Sequence, residues 1–237
     1  MTDTPAALRE AHHADVSGGW LRPAVFGAMD GLVTNIALIA GVGGGGVSPH
    51  SIVLTGTAGL VAGAISMGLG EYTSVRSANE QVAAEVAKER RELERHPEAE
   101  ARELADAWVA RGLPRDLATQ VAEAVRRDPE EALRVHVREE LGVDPDDQPS
   151  PWAAAISSFV FFSVGALVPL LPYLLGATEL WLALAVGGLG LFAAGAVVAR
   201  FTSRPWWTSG LRQLVLGAAA AAATYLVGSL IGVQGGL

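Results

Sequence analysis

All 17 Lys and Arg residues of this 237-residue chain fall in three stretches, 1–23, 76–151 and 200–212. Between and after them run apolar segments at about 24–46, 52–75, 152–175, 180–199 and 213–233. Even the shortest of these reaches ~30 Å as a helix rising ~1.5 Å per residue, the hydrocarbon thickness of a bilayer. With the N-terminus in the cytoplasm, the turns near 47–51 and 176–179 and the C-terminal end fall outside, and none carries a Lys or Arg. That asymmetry is what the positive-inside rule predicts. The expected fold class is therefore an all-α integral membrane protein, with five transmembrane helices and a helical cytoplasmic insert between the second and third.

The expected organisation is a cytoplasmic tail at 1–23, transmembrane helices one and two at 24–75, the insert at 76–151, and helices three to five at 152–237. Mean hydropathy, +0.32, averages two unlike materials. The insert holds 19 of the 25 Asp and Glu residues against 12 of the 17 Lys and Arg, and so carries almost all of the formal charge of −8. A net negative module argues against nucleic acid and against docking on anionic lipid, and is compatible with cations. With no cysteine, disulfides, thiolate zinc sites and iron–sulfur clusters are excluded, leaving oxygen, imidazole or thioether as ligands. Residues 1–19 contain Asp3, Glu10 and Asp15 and no apolar core, so no signal peptide is expected.

Gly43–Gly46 followed by Ser48-Pro49 predicts a tight hairpin between the first two spans. The second span has small residues at spacing four, Gly59–Gly63 and Ala58–Ala62, with Ser66 and Gly70 continuing the second row; such rows let helices approach closely in a membrane. No breaker interrupts 74–95, so this helix is expected to project from the membrane. Pro97, Gly112-Leu113-Pro114 and Asp128-Pro129 then divide the insert into helices near 97–111, 115–127 and 129–141. Pro169 and Pro172 predict a kink or break near the outer end of the third span. The last span, whose one ionisable residue is Tyr225, reads as scaffold.

Few charges lie within the spans. Asp30 sits in the first and Glu71 at the cytoplasmic end of the second, while Glu179 lies at an outer turn. A carboxylate at membrane depth costs several kcal/mol unless paired or hydrated, which makes Asp30 and Glu71 candidate transport residues. Met67 stands one turn before Glu71 on the same face, and a thioether beside carboxylates suits Fe²⁺ or Mn²⁺. Thr34 and Asn35 offer neutral oxygens, although Thr34 can equally bond its own backbone. In the insert Glu85, Glu89 and Glu92 share a helix face, as do Glu100 with Glu103 and His136 with Glu140. Converging faces of this kind would make a carboxylate-rich metal site; solvated Glu/Arg helices are the plainer reading. His12-His13 offers a further cation site on an exposed tail. Ser157-Ser158 fits packing, and without a nucleophile–base pair or cofactor fingerprint an enzyme is not expected.

The order and spacing of FGAMDGLVTNIALIAGV, GLVAGAISMGLGEYTSVRSANE, KERRELERHPEAEARELA, VHVREELGV and SVGALVPLLPYLL resemble the vacuolar iron transporter family, and most closely its bacterial members. The resemblance runs from about Trp20 to near the end of the chain. It implies a homodimer that moves Fe²⁺, and often Mn²⁺ or other divalent cations, out of the cytosol in exchange for protons. It places membrane ligands on Asp30 and Met67, and insert ligands on Glu89, Glu92, Glu100, Glu103 and Glu140. Two departures stand out. His136-Val137 replaces the Met pair of plant members, so an imidazole substitutes for thioether. The family's second-span Glu, eight residues before the Met, aligns with Gly59; Glu71 is expected to take part of that role.

Bound Fe²⁺, Mn²⁺, Zn²⁺ or Co²⁺ is thus expected as cargo, with no catalytic cofactor. The implied partners are divalent metal ions, protons, the bilayer and a second copy of the chain. The implied location is a bacterial inner membrane, with N-terminus and insert cytoplasmic. A membrane-anchored metal sensor or store, and an uncoupled cation channel, remain as alternatives.

Overall fold

The structure, a computed structural model, describes residues 19–201 and 204–234; the tail pair His12-His13 lies outside the described residues. Eight α-helices and one 3₁₀ turn account for the described fold, which contains no strand. Helices α1 (Leu21–Gly44), α2 (Pro49–Arg95), α6 (Pro151–Leu174), α7 (Leu180–Val198) and α8 (Trp206–Gln234) are each long and apolar enough to cross a membrane. Between α2 and α6 come α3 (Pro97–Ala110), α4 (Arg115–Val125) and α5 (Pro129–Glu140).

Helix boundaries follow local chemistry. The Ser48 hydroxyl accepts from the Ser51 amide with Pro49 in the first turn, and Ser150 with Pro151 repeats the arrangement at α6. Asp128 caps α5 by accepting from the amides of Glu130 and Glu131 at 3.0 and 3.2 Å. Gly142, with φ of +66°, follows the end of α5 in a backbone conformation that disfavours other residues.

Helix α1 is the centre of the membrane bundle and touches all four other spans, whereas α2 and α8 lie at opposite edges without touching. Its contact with α6 is backbone to backbone. A Cβ at Gly31 would fall 2.2 Å from the Phe162 carbonyl, and one at Gly165 would fall 2.2 Å from the Ala28 carbonyl. On the other side Thr224 donates to the Ala37 carbonyl at 2.6 Å and fastens α8 to α1. Ser157 donates to the Trp20 carbonyl at 2.8 Å, tying the start of α1 to α6.

The break that the prolines allow in α6 does not occur. Pro169 and Pro172 lie inside one continuous helix, and Pro169 is fully buried where it packs over Gly187. Enclosure by neighbouring helices tolerates the lost donors, as membrane proline often requires. The last span also begins earlier than expected, at Trp206 rather than 213, because nothing in WWTSGLRQ breaks a helix.

Helix α2 runs unbroken through the expected boundary at 75/76 and projects from the bundle, ending where Pro97 follows His96. Its projecting end carries the insert. Helices α3 and α4 close over Ala101, Leu104, Ala105, Ala118 and Ala122, and α5 lies against α2. Arg90 clamps α5 through a two-pronged contact to Glu130 at 2.6 and 3.2 Å. Trp20, Trp152, Trp206 and Trp207 are exposed at the insert end of the bundle, as expected of a headgroup belt.

Candidate metal centre

Three helices bring four ligand-bearing side chains together in the insert. Glu89 comes from the last turns of α2, Glu100 from the first turn of α3, and His136 and Glu140 from successive turns of α5. One ligand atom from each lies within 4.8 Å of the others. The His136 Nδ1 atom stands 3.2 Å from Glu89 Oε1, 3.4 Å from Glu140 Oε1 and 3.9 Å from Glu100 Oε2. Glu89 and His136 are buried, 6% and 2% exposed, and Glu140 lies at the rim.

The charge balance of this cluster is unusual. Arg90, Arg111, Arg134 and Arg138 of the same helices or their flanks each pair with a different carboxylate: Glu130, Glu139, Glu131 and Asp144 respectively. Among the described residues no Lys or Arg pairs with the four. Glu89 Oε1 is buried without a hydrogen-bond partner. Burial, and then the charges of Glu140, Glu100, Glu92 and Glu103, push the Glu89 acid up to about 7. Burial and Glu103 raise Glu100 as well, against a lowering by His136. Carboxylates crowded without a counter-ion are stabilised by a cation, and two or three oxygens with an imidazole suit a divalent first-row ion.

The expected ligands divide accordingly. Glu89, Glu100, His136 and Glu140 converge. Glu92 and Glu103 stand outside the four, half-buried and exposed, close enough for their charges to act on Glu89 and Glu100. Glu85 is exposed on the stem of α2 and does not join.

The membrane candidates are divided between α1 and α2. Asp30 is half-buried on α1 and bonds the exposed Thr34 one turn away. Met67 packs on the Ala64–Phe162–Ala166 cluster, and Glu71 is half-buried near the insert end of the span. Asn35 is 1% exposed and donates from Nδ2 to the Ala166 carbonyl, while its Oδ1 has no partner. A Cβ at Gly59 would lie 2.5 Å from Leu38 Cδ2 and 3.8 Å from Asn35 Oδ1, so Leu38 fills the space a side chain at 59 would need. The Tyr173 hydroxyl, which sequence reasoning passed over, is likewise buried without a partner, inside the Ile39–Ile52–Leu170 cluster. Nothing in the residue's sequence context marks it.

An all-helical membrane bundle with a carboxylate–imidazole cluster at the tip of one extended helix belongs to the class of membrane proteins that handle cations. A family model described as the VIT family matches residues 21–229, and the chain belongs to that family. It is 34% identical over 232 residues to vacuolar iron transporter 1 of Oryza sativa subsp. japonica, covering 95% of this chain and 92% of that protein. It is 31% identical over 226 residues to vacuolar iron transporter 1 of Arabidopsis thaliana, covering 93% and 90%. The vacuolar iron transporter of Acanthamoeba castellanii is 36% identical over 204 residues, covering 81% and 74%.

Proposed function

We propose that this chain is a homodimeric membrane transporter that exports Fe²⁺, and also Mn²⁺, from the cytosol in exchange for protons. The observation that carries the reading is the Glu89–Glu100–His136–Glu140 cluster, which lacks a Lys or Arg partner and whose Glu89 lies on the same continuous helix as Met67 and Glu71. The names of the relatives supply the metal. Glu71 and Glu89 lie 18 residues apart, five turns of ~3.6 residues, and therefore on one face of α2.

The insert gathers the ion from the cytosol and passes it to a membrane pathway lined by Asp30, Met67 and Glu71, with neutral oxygens from Thr34 and Asn35. A carboxylate must lose its proton to bind metal, so ion entry and proton release are linked at the same groups. A proton arriving from the far side expels the ion. The half-buried Asp30 and exposed Thr34 support a dimer, because a carboxylate left facing hydrocarbon is costly and a second subunit would enclose it. The arginine asymmetry supports a cytoplasmic insert, whichever membrane holds the chain.

The test is Fe²⁺ flux in proteoliposomes, with and without an imposed proton gradient. Flux should depend on the gradient and should vanish in Asp30→Ala while that variant stays folded and dimeric. Normal flux in the variant would remove Asp30 from the pathway. A second reading, an uncoupled channel, draws on Leu38 filling the space beside Gly59. It predicts flux indifferent to the gradient.

A further inference from the structure

At the insert end of the bundle, α1, α6 and α7 leave an apolar groove of about 320 Å³, near the lower limit of the ~300–1,000 Å³ usual for ligand sites. Its walls include Val25, Ala28, Met29, Phe161, Ala194 and Val197, and Trp20 stands at its mouth. From Trp20 to Met29 the groove descends nine residues, about 13 Å at ~1.5 Å each, which approaches the half-thickness of a ~30 Å hydrocarbon core. Its depth is therefore that of one leaflet.

The mouth is cationic. Arg22 shares a helix stripe with Val25 and Met29 at spacings of three and seven. Arg200 lies in the 3₁₀ turn that ends α7, three residues beyond Val197, and Arg204 follows in the turn to α8. All three are exposed, and among the described residues none has an ion-pair or hydrogen-bond partner. No Asp or Glu occurs in the segments that frame the groove, 19–29, 152–161 and 190–206. In the insert, by comparison, Arg90, Arg134 and Arg138 pair with Glu130, Glu131 and Asp144.

We propose that this groove binds an anionic phospholipid of the leaflet on the insert side, an acyl chain lying along α1, α6 and α7 and the phosphate meeting Arg22 and Arg200. An apolar channel one leaflet deep with an unmatched positive mouth is complementary to a negatively charged lipid and to neither a soluble anion nor a neutral lipid. Trp20 would sit at headgroup level, where its amphipathic ring is at home.

The test uses the full-length protein, delipidated in detergent and titrated with phosphatidylglycerol or with phosphatidylcholine of the same chains, bound lipid being counted by native mass spectrometry. Wild type should hold one phosphatidylglycerol per chain in preference to phosphatidylcholine, and high salt should erode the preference. The pair Arg22→Gln and Arg200→Gln should weaken phosphatidylglycerol about 30-fold, the equivalent of ~1 kcal/mol for each charge at a membrane surface. Ala194→Phe keeps the arginines and fills the groove, and it should also lose the bound lipid. Equal binding of both lipids by wild type overturns the proposal whatever the variants do. So does full binding by Ala194→Phe, which would leave only surface attraction. Lipid binding that appears only after residues 2–18 are removed would assign the groove to the chain's own tail and overturn it too.

Discussion

Burial and four neighbouring carboxylates hold the Glu89 acid near 7, so around neutrality this group is shared between its acid and carboxylate forms, and a bound cation favours the carboxylate. The sign of the pH dependence follows. A carboxylic acid raised above its ordinary value of 4.5 favours the metal-free fold below that value and loses the contribution as pH rises through about 7. Metal binding runs the other way, because the ligand must be deprotonated. Apparent Fe²⁺ affinity of the anaerobic protein should therefore rise between about pH 5 and pH 8 and then level off. Glu89→Gln should flatten that curve and weaken binding by more than the ~10-fold lower bound typical of outer-shell changes. Glu92→Gln and Glu103→Gln, at carboxylates outside the four whose charges raise Glu89, should shift the curve to lower pH with little loss of affinity at its plateau. At this scale the sequence was informative about residue type and face. It placed Glu85, Glu89 and Glu92 together on α2, and helical periodicity cannot say which of three residues on one face meets α3 and α5. Chain reversal at Pro97 and the docking of α5 choose Glu89.

The packing of α1 against α6 rests on absent side chains. Gly31 and Gly165 bring the two backbones into contact, and a Cβ at either would meet a carbonyl oxygen at 2.2 Å. Gly31→Ala should therefore cost about 1–3 kcal/mol, the usual range for overpacking, seen as a lower unfolding temperature in detergent. The breakers Pro97, Gly112 and Pro129 fixed the insert helices to within a residue or two, because a missing donor or a positive φ acts locally. Pro169 and Pro172 do not break α6, for the complementary reason. Their cost depends on what surrounds the helix, and here buried neighbours on α1 and α7 hold α6 together. The Gly59–Gly63 row likewise faces inward, against Leu38 and Phe162, whereas Ala58, Ala62, Ser66 and Gly70 look outward.

For the whole molecule, that outward row is the face of α2 on which the proposed second subunit would pack, since small residues allow close helix approach in a membrane. Ala62→Phe should move the purified protein from dimer toward monomer by light scattering and should lower Fe²⁺ flux with it. An unchanged dimer mass would relocate the interface to another face. The number of spans, the charged insert and the lack of cysteine ligands were all legible in composition along the chain. Those properties come from how each segment partitions between water and hydrocarbon, and each segment does so nearly independently. The convergence of Glu89, Glu100, His136 and Glu140, the filling of the Gly59 position by Leu38, and the cationic groove beside Trp20 were decided only by tertiary structure. Each depends on distances between residues far apart in the chain, and those distances are set by packing of whole helices against one another rather than by any local preference.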